Sequence, residues 1–305
     1  MSAPEISIVI PTCNRPAQLV ACLRHLVPQL PDDGSVECLA CDDGRDDASR
    51  RALAEAGMES VWRQGPRHGP AANRNHGARL ARGRWLLFLD DDCEPRPGFF
   101  AAYRSAILGL STGARVALEG ATHAASAPLP SLLWEAPHNP EGGTLISCNF
   151  AMPRELFFEV GGFDERFSRV ASFEDTEFAA RIGRLDIPVR FVREAAVDHP
   201  LRPLPPAARR MRRWESRVIS TYDFGASTRQ LAWRLPRHII AVTISRFRGQ
   251  RWSLANLRAG ASYAWEVILA VGSLPRWIAR HRVEPRSAFW LKQVRDGKAP
   301  PRFGL

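Results

Sequence analysis

The chain has 305 residues and a formal net charge of +10, and 45% of the residues are hydrophobic. This length allows one large domain or two, and the composition is typical of a globular protein rather than a disordered one. The best candidate for a membrane span, near residues 261–278, is interrupted by Glu266, Pro275 and Arg276, so we expect none. The six cysteines lack the spacing of a secreted disulfide framework, and no signal peptide is recognisable, which favours a cytoplasmic protein.

The charge is distributed unevenly along the chain. Residues 1–201 carry 21 Lys and Arg against 27 Asp and Glu, whereas residues 202–305 carry 21 against 5. We therefore predict two regions, an acidic one over 1–201 and a basic, Arg- and Trp-rich one over 202–305.

Strands and helices are predicted to alternate through the acidic region. The predicted strands cover residues 6–10, 36–41, 60–63, 84–89, 115–119 and 188–192, and the predicted helices cover 16–29, 46–56, 71–81, 98–108, a short segment from 153, and the residues after Asp175 to about 185. Such spacing is typical of βαβ units. We predict an α/β fold with a mainly parallel sheet flanked by helices.

The strand over residues 84–89 is followed by three carboxylates, Asp90, Asp91 and Asp92. Its apolar residues do not alternate with polar ones, as expected of a strand covered on both faces. Adjacent carboxylates repel each other unless a cation is present, and open α/β sheets bind ligands at this edge. The pattern predicts Mg²⁺ or Mn²⁺. Alternation along an extended segment would place Asp90 and Asp92 on one face and Asp91 on the other. The alternative is a solvated acidic turn or a helix cap.

Other polar clusters also follow predicted strands. Residues 11–15 follow the first strand and residues 42–44 the second, and Arg74 lies in the first turn of the helix predicted over 71–81. At that position the charge of the side chain and the helix dipole both favour a phosphate group.

In this order the clusters resemble the family 2 glycosyltransferases, nucleotide-sugar enzymes with the GT-A fold. The resemblance covers about residues 5–200. It rests on residues 9–15 (VIPTCNR), 42–44 (DDG), 74–77 (RNHG), 88–92 (FLDDD), 161–164 (GGFD) and 173–175 (FED). It implies a nucleotide-sugar half over about residues 1–95 and an acceptor half over about 96–201.

The resemblance also assigns roles to individual residues. It implies that Asp43 contacts the base, that Arg74 faces the diphosphate and that Asp91 lies near the sugar or ribose. It further implies a nucleotide-contacting loop of Pro11, Thr12, Asn14 and Arg15. Asp90 and Asp92 match the metal-binding D-x-D pair, and His199 resembles a histidine that completes the metal shell in some members. A lone histidine is equally expected in a structural role.

Asp175 matches the catalytic base of inverting members of the family. Transfer to a hydroxyl requires proton removal, which a carboxylate can perform. Glu174 and Asn149 are expected near the sugar or the acceptor. The alternative is that Glu174 and Asp175 only cap a helix, whose N-terminus favours acidic residues. The passage over residues 121–140 is predicted to be a loop over the site.

The predicted function is inverting, metal-dependent transfer of a sugar from a nucleotide diphosphate donor, with UDP favoured. The acceptor would be a hydroxyl of a glycan, a lipid-linked molecule or a small molecule. A metal-dependent nucleotidyltransferase and a non-catalytic nucleotide-sugar-binding module stay open as alternatives. Two positions depart from the family pattern, Arg45 in place of serine and Asn73 in place of alanine.

In the basic region, Met211, Trp214, Val218 and Tyr222 recur at helical spacing. This predicts an amphipathic helix with most arginines on its other faces. One hypothesis is docking on an anionic membrane surface, which would make the protein peripheral at the inner face of the membrane. Another is packing on the catalytic domain or on a second subunit. No nucleic-acid-binding module is recognisable, so we do not expect nucleic acid as a partner.

Overall fold

The computed structural model describes residues 3–126, 131–170, 172–250, 253–284 and 287–296. The chain forms two compact units. One, the sheet unit, comprises residues 1–128 and 136–201. The other, the helical unit, comprises residues 129–135 and 202–305.

The sheet unit is built on an eight-stranded sheet. Its strands are β1 (Ile6–Thr12), β2 (Val36–Asp42), β3 (Trp62–Gln64), β4 (Trp85–Leu89), β5 (Glu94–Pro95), β6 (Ala117–Ala124), β8 (Asn149–Pro153) and β9 (Val189–His199), while β7 (Trp134–Glu135) lies in the helical unit. The order is β3-β2-β1-β4-β8-β6-β9-β5. Strands β3, β2, β1 and β4 are parallel to one another, β8 is antiparallel to β4 and β6, and β9 is parallel to β6. The predicted α/β class with a mainly parallel sheet is confirmed.

Helices flank this sheet. They are α1 (Pro16–Leu26), α2 (Ala48–Glu55), α3 (Pro70–Leu80), α4 (Phe99–Leu108), α5 (Arg154–Glu159) and α6 (Glu174–Arg184). One cluster of buried apolar residues joins β1 and β4 to α1 and α4, and a second joins the opposite sheet face to α3, α5 and α6. All five residues of β4 are buried, so the prediction of a strand covered on both faces is correct.

Glycine permits two close approaches that shape the site. A Cβ atom at Gly77 would lie 2.4 Å from Cγ1 of Val9, so only glycine lets α3 lie this close to β1. Gly161 and Gly162 both have positive φ, +91° and +63°, a backbone conformation that glycine adopts without strain. The side chain of Asn75 holds this turn, since it accepts a hydrogen bond from the backbone N–H of Phe163 and donates one to its carbonyl.

Three features of the predicted secondary structure were wrong. The last strand of the sheet extends to His199, because pairing with β6 carries it past the exposed residues Arg193 and Glu194 that break its apolar pattern. Residues 149–153 form a strand that was not assigned. The passage over 121–140 is not a single loop: β6 continues to Ala124, Asn139 bridges to Thr122, and β7 lies in the other unit. Residues 127–130 of that passage lie outside the described part of the chain.

The helical unit contains α7 (Ala207–Arg210), α8 (Glu215–Asp223), α9 (Thr228–Phe247), α10 (Leu254–Arg282) and α11 (Ala288–Arg295), with β7 paired to β10 (Arg202–Pro203). Its core includes Trp214, Val218 and Tyr222, which confirms the predicted apolar face. The guanidinium of Arg210 is also buried in this unit, against Glu266. Within the described residues, no helix combines the length and the apolar character needed to cross a bilayer.

Candidate active site

The three consecutive aspartates lie in a turn rather than in an extended strand. Strand β4 ends at Leu89, and the backbone N–H of Cys93 donates to the carbonyl of Asp90 at 3.2 Å. The predicted sharing of one face by Asp90 and Asp92 is therefore wrong, since strand alternation does not extend to them. Asp91 and Asp92 share one arginine, and Asp90 bonds to another.

Asp91 is held by residues that follow strand β1. Thr12 Oγ1 donates to Asp91 Oδ2 at 2.7 Å, and Arg15 Nη1 donates to Asp91 Oδ1 at 3.1 Å and to Asp92 Oδ2 at 2.9 Å. Burial raises the pKa of Asp91 to about 6, although Arg15 and Thr12 oppose the shift. Thus the ends of β1 and β4 form one polar cluster.

Arg74 links the aspartates to a distant segment of the chain. Its guanidinium, buried in the sheet unit, donates to Asp90 Oδ1 at 2.6 Å and to Glu174 Oε1 at 3.2 Å. Burial works against its charge, but Asp90 and Glu174 outweigh it and raise the pKa of Arg74. Arg74 is the fifth residue of α3 and not part of its first turn, so the helix dipole contributes less than predicted.

Glu174 and Asp175 begin helix α6, next to Phe173, whose backbone has a φ of +81°. Burial and the neighbouring Asp175 raise the pKa of Glu174 to about 7, and its Oε2 has no hydrogen-bond partner within the described structure. Asp175 is half-buried, and its Oδ1 accepts from the backbone N–H of Thr176 at 2.7 Å. Among the described residues nothing donates to its Oδ2, which leaves this oxygen available to accept a proton.

A group of possible metal ligands lies beside the aspartates. One ligand atom each of Asp92, Cys93 and His199 lie within 4.8 Å of one another. His199 Nε2 is 3.2 Å from Asp92 Oδ1, and His199 Nδ1 lies 3.0 Å from the carbonyl oxygen of Pro200. Burial lowers the pKa of His199, but the bond to Asp92 outweighs it and the net shift is upward.

Two of the three residues in this group are suitable ligands for a divalent cation. A hydrogen bond to Cys148 and burial raise the pKa of the Cys93 thiol well above its usual range, so the thiol stays protonated and is a poor ligand. Asp92 and His199 remain, a carboxylate and an imidazole, which fit Mn²⁺ or Mg²⁺. Asp90 is not part of the group, because it bonds to Arg74. Cys93 was not predicted near this site, and only its place next to Asp92 could have suggested it.

The predicted base-contacting residue lies in a separate part of the site. Asp43 follows β2, and its two carboxylate oxygens accept from the backbone N–H groups of Arg67 and Gly69, each at 2.8 Å. Burial raises the pKa of Asp43 despite these bonds. Pro11 is buried at the end of β1, whereas Asn14 is exposed with a φ of +56°. The structure brings Thr12 and Arg15, but not Asp43, onto the aspartate cluster.

Asn149 does not occupy the position expected of an acceptor-binding residue. It is fully buried, and its amide donates to the carbonyls of Ala121 and Ala195, both at 2.9 Å, while its Oδ1 accepts from Tyr103. These bonds tie β8 to β6 and to β9, the next strand beyond it. We correct its predicted role accordingly, from contact with the sugar or acceptor to support of the sheet.

Comparison with known proteins supports the assignment made from the motifs. Residues 7–103 match the family model described as "Glycosyl transferase family 2". The pre-mycofactocin glycosyltransferase of Mycobacterium tuberculosis is 28% identical over 289 residues, which cover 88% of this chain and 56% of that protein. The chain spans about half the length, or less, of the curated relatives that it matches most strongly.

Two solved structures share the fold. TarS of S. aureus, residues 1–349, in complex with UDP-GlcNAc, gives a TM-score of 0.55 at 16% identity, covering 96% of this chain and 92% of that one. The mannosyltransferase PcManGT of Pyrobaculum calidifontis, in complex with GDP-Man and Mn²⁺, gives 0.50 at 15% identity, covering 97% and 80%. At this identity the likeness concerns the fold alone. Residues 7–103, which include strands β2 to β4, all but the first residue of β1 and the three aspartates, thus match the family 2 glycosyltransferases, and the chain shares the fold of the two solved glycosyltransferase structures.

Proposed function

We propose that the protein transfers a sugar from a nucleotide diphosphate sugar, with UDP as the favoured nucleotide, to a hydroxyl group with inversion at the anomeric carbon. The observation that carries the proposal is the convergence of Asp90, Arg74 and the Glu174-Asp175 pair at one edge of the sheet. This arrangement supplies the positive charge of Arg74, the buried carboxyl group of Glu174 and the carboxylate of Asp175, whose Oδ2 can accept a proton. Each of these matches a need of glycosyl transfer.

Asp92 and His199 are the residues that would hold a divalent cation, Mg²⁺ or Mn²⁺. When bound, such an ion neutralises the charge of the departing nucleoside diphosphate. Arg15, which contacts Asp91 and Asp92, would bring a second positive charge to the same edge. The binding of Mn²⁺ with GDP-Man by a structural neighbour is consistent with this role, and the D-x-D match supports it.

Arg74 would bring a further positive charge to the leaving group. Its ion pairs with Asp90 and Glu174 hold the guanidinium in one orientation, because both partners come from separate elements. A fixed cation stabilises developing negative charge without a cost of reorganisation. Thr12, Asn14, Pro11 and Asp43 would contribute the nucleoside side of the site, with Asp91 near the ribose or sugar.

Asp175 would act as the base. Thr176 holds Oδ1, so Oδ2 is oriented and able to accept the proton of the acceptor hydroxyl as that oxygen attacks the anomeric carbon. Glu174 lies beside it as a group whose pKa is near neutrality, and we assign it to positioning Arg74 and tuning Asp175. The acceptor would be a glycan, a lipid-linked molecule or a small molecule.

A donor screen tests the proposal. The purified chain is incubated with UDP-, dTDP- and GDP-sugars and Mn²⁺ or Mg²⁺, and released nucleoside diphosphate and pyrophosphate are measured separately. We expect release of nucleoside diphosphate, largest with a UDP-sugar and absent with a chelator. Pyrophosphate release instead would identify a nucleotidyltransferase, and tight donor binding without any release would identify a non-catalytic module. Inversion is checked by NMR of the anomeric proton of the product.

A further inference from the structure

The outer faces of helices α9 and α10 carry large exposed apolar side chains. In α9, Trp233 is 66% exposed, Ile240 45% and Ile244 56%. In α10, the corresponding residues are Leu254, Leu257, Trp265 and Ile268, each more than half exposed.

These residues form a stripe on each helix, opposite to the side that faces the core. In α9 the buried residues are Leu231, Leu235 and Ile239, whereas the exposed ones recur at 233, 240 and 244. At 100° per residue, the two sets point in opposite directions. The same holds in α10, where Ala270, Leu274 and Trp277 face the core. The outer stripes are therefore not required for the packing of this unit.

The charged residues beside the stripes are all basic. Helix α9 contains no Asp or Glu, and the one acidic residue of α10, Glu266, is buried against Arg210 and Trp214. Five exposed arginines flank the stripes: Arg229, Arg234, Arg237, Arg258 and Arg276. The guanidinium carbon of Arg237 lies 3.4 Å from the ring centroid of Trp233. Tryptophan with basic residues is the side-chain combination that suits the boundary between headgroups and acyl chains.

We propose that these outer faces of α9 and α10 dock the protein on an anionic lipid surface. The Trp, Ile and Leu side chains would enter the headgroup–acyl boundary, while the flanking arginines contact lipid phosphate groups. A second copy of the chain is a poor occupant, because two such faces would bring arginines together with no exposed carboxylate to neutralise them. Nucleic acid is disfavoured, since the isoleucines and leucines offer neither hydrogen bonds nor rings for stacking. The proposal does not depend on the transfer reaction.

Flotation of the full chain with vesicles tests the proposal. We expect it to float with mixed phosphatidylcholine and phosphatidylglycerol vesicles and to stay at the bottom with phosphatidylcholine alone. The double variant Ile244→Glu/Ile268→Glu should lose about a hundredfold in vesicle affinity, because burial of each isoleucine contributes about tenfold. Leu108→Glu, an equally exposed position in the sheet unit, is the matched control and should bind like the wild type.

Quenching by brominated acyl chains gives a second measurement that does not rely on charge reversal. Vesicles with brominated lipids should quench part of the tryptophan fluorescence of the wild type, and the Trp233→Phe/Trp265→Phe variant should lose that quenching. A wild type that does not float, or a double glutamate variant that floats as well as the control, would overturn the proposal. So would a concentration-dependent dimer that the double glutamate variant abolishes in the absence of lipid, since the face would then join two copies.

Discussion

Both units of this protein bury carboxylates beside arginine, yet the two sets of carboxylates behave differently. In the helical unit, Glu266 receives hydrogen bonds at both oxygens, from Arg210 and Trp214. Glu215 bonds to Arg280 and His281, and although burial opposes the shift, these bonds lower its pKa. In the sheet unit, one oxygen of Glu174 has no partner in the described structure, and its pKa rises to about 7.

The direction of the pKa shift separates carboxylates that stabilise the fold from carboxylates that can take part in a reaction. A buried carboxylate whose cationic partners outweigh the cost of burial remains ionised and stabilises its neighbours. A buried carboxylate for which burial outweighs its partners is less stable as an anion, so it exchanges protons near neutral pH. Neither the residue type nor the completeness of hydrogen bonding alone distinguishes the two cases, because both oxygens of Asp91 accept hydrogen bonds and burial still raises its pKa to about 6.

Replacement of the proposed base should give the largest effect. In Asp175→Asn we expect kcat for transfer to fall by about a thousandfold, because an amide cannot accept the proton of the acceptor. Donor affinity and the melting temperature should stay close to the wild-type values. The matched control is Asp186→Asn, an exposed position just beyond the other end of α6. A retained kcat in Asp175→Asn would remove this residue from catalysis.

Arg210→Met should show that the helical-unit network is structural. Loss of the guanidinium leaves Glu266 buried with an unpaired oxygen, which lowers the free energy of unfolding by about 3 kcal/mol. Urea unfolding followed by tryptophan fluorescence measures it, with the exposed Arg212→Met as control.

The comparison predicts a smaller stability loss for the equivalent change in the sheet unit. In Arg74→Met, Glu174 can take up a proton, so we expect a loss of about 1 kcal/mol together with loss of transfer activity. If Arg74→Met destabilised the protein as much as Arg210→Met, the two networks would serve the same purpose.

Glu174→Gln should change how stability depends on pH. The folded-state pKa of about 7 lies above the usual glutamate value of 4.5, so the native state holds this proton more tightly than the unfolded state. The stabilisation is present below about pH 4.5 and is lost as the pH rises through 7, by roughly 3 kcal/mol. Urea titrations at several pH values should show this decline in the wild type and a weaker one in Glu174→Gln. Identical pH profiles would argue against a raised pKa.

The smallest effect is expected at Arg45, which departs from the family pattern. Its side chain is exposed beside the nucleotide half of the site and forms no ion pair recorded among the described residues. Arg45→Ser should change KM for a UDP-sugar by less than about threefold. A larger change, seen with one nucleotide and not with others, would assign this arginine to donor selection.

Sequence analysis could predict the parts of the fold that follow from local pattern. The central strand, helix α1 with Leu19, Leu23 and Leu26 on its buried side, and the core face of Trp214, Val218 and Tyr222 follow from periodicity. The extension of the last strand to His199 could not be predicted, because pairing with β6 overrides its broken apolar pattern.

The site was predictable as a set of residues but not as a geometry. Arg74, Asp90 and Glu174 were each identified from a separate motif. The ion pairs that join them depend on how α3 and α6 pack on the sheet. Likewise, no local signal indicates that the amide of Asn149 bonds to the neighbouring backbone, or that Asp90 bonds to Arg74 while Asp92 lies next to His199. Such relations arise only from tertiary packing.

Calorimetric titration of UDP into the protein, with Mn²⁺ or with a chelator, tests the central claim most directly. We predict that Mn²⁺ raises the affinity of the wild type for UDP by about tenfold or more, since a bound cation neutralises diphosphate oxygens, and that Asp92→Asn loses this gain. Equal affinity with Mn²⁺ and with chelator, or an undiminished metal effect in Asp92→Asn, would contradict the account.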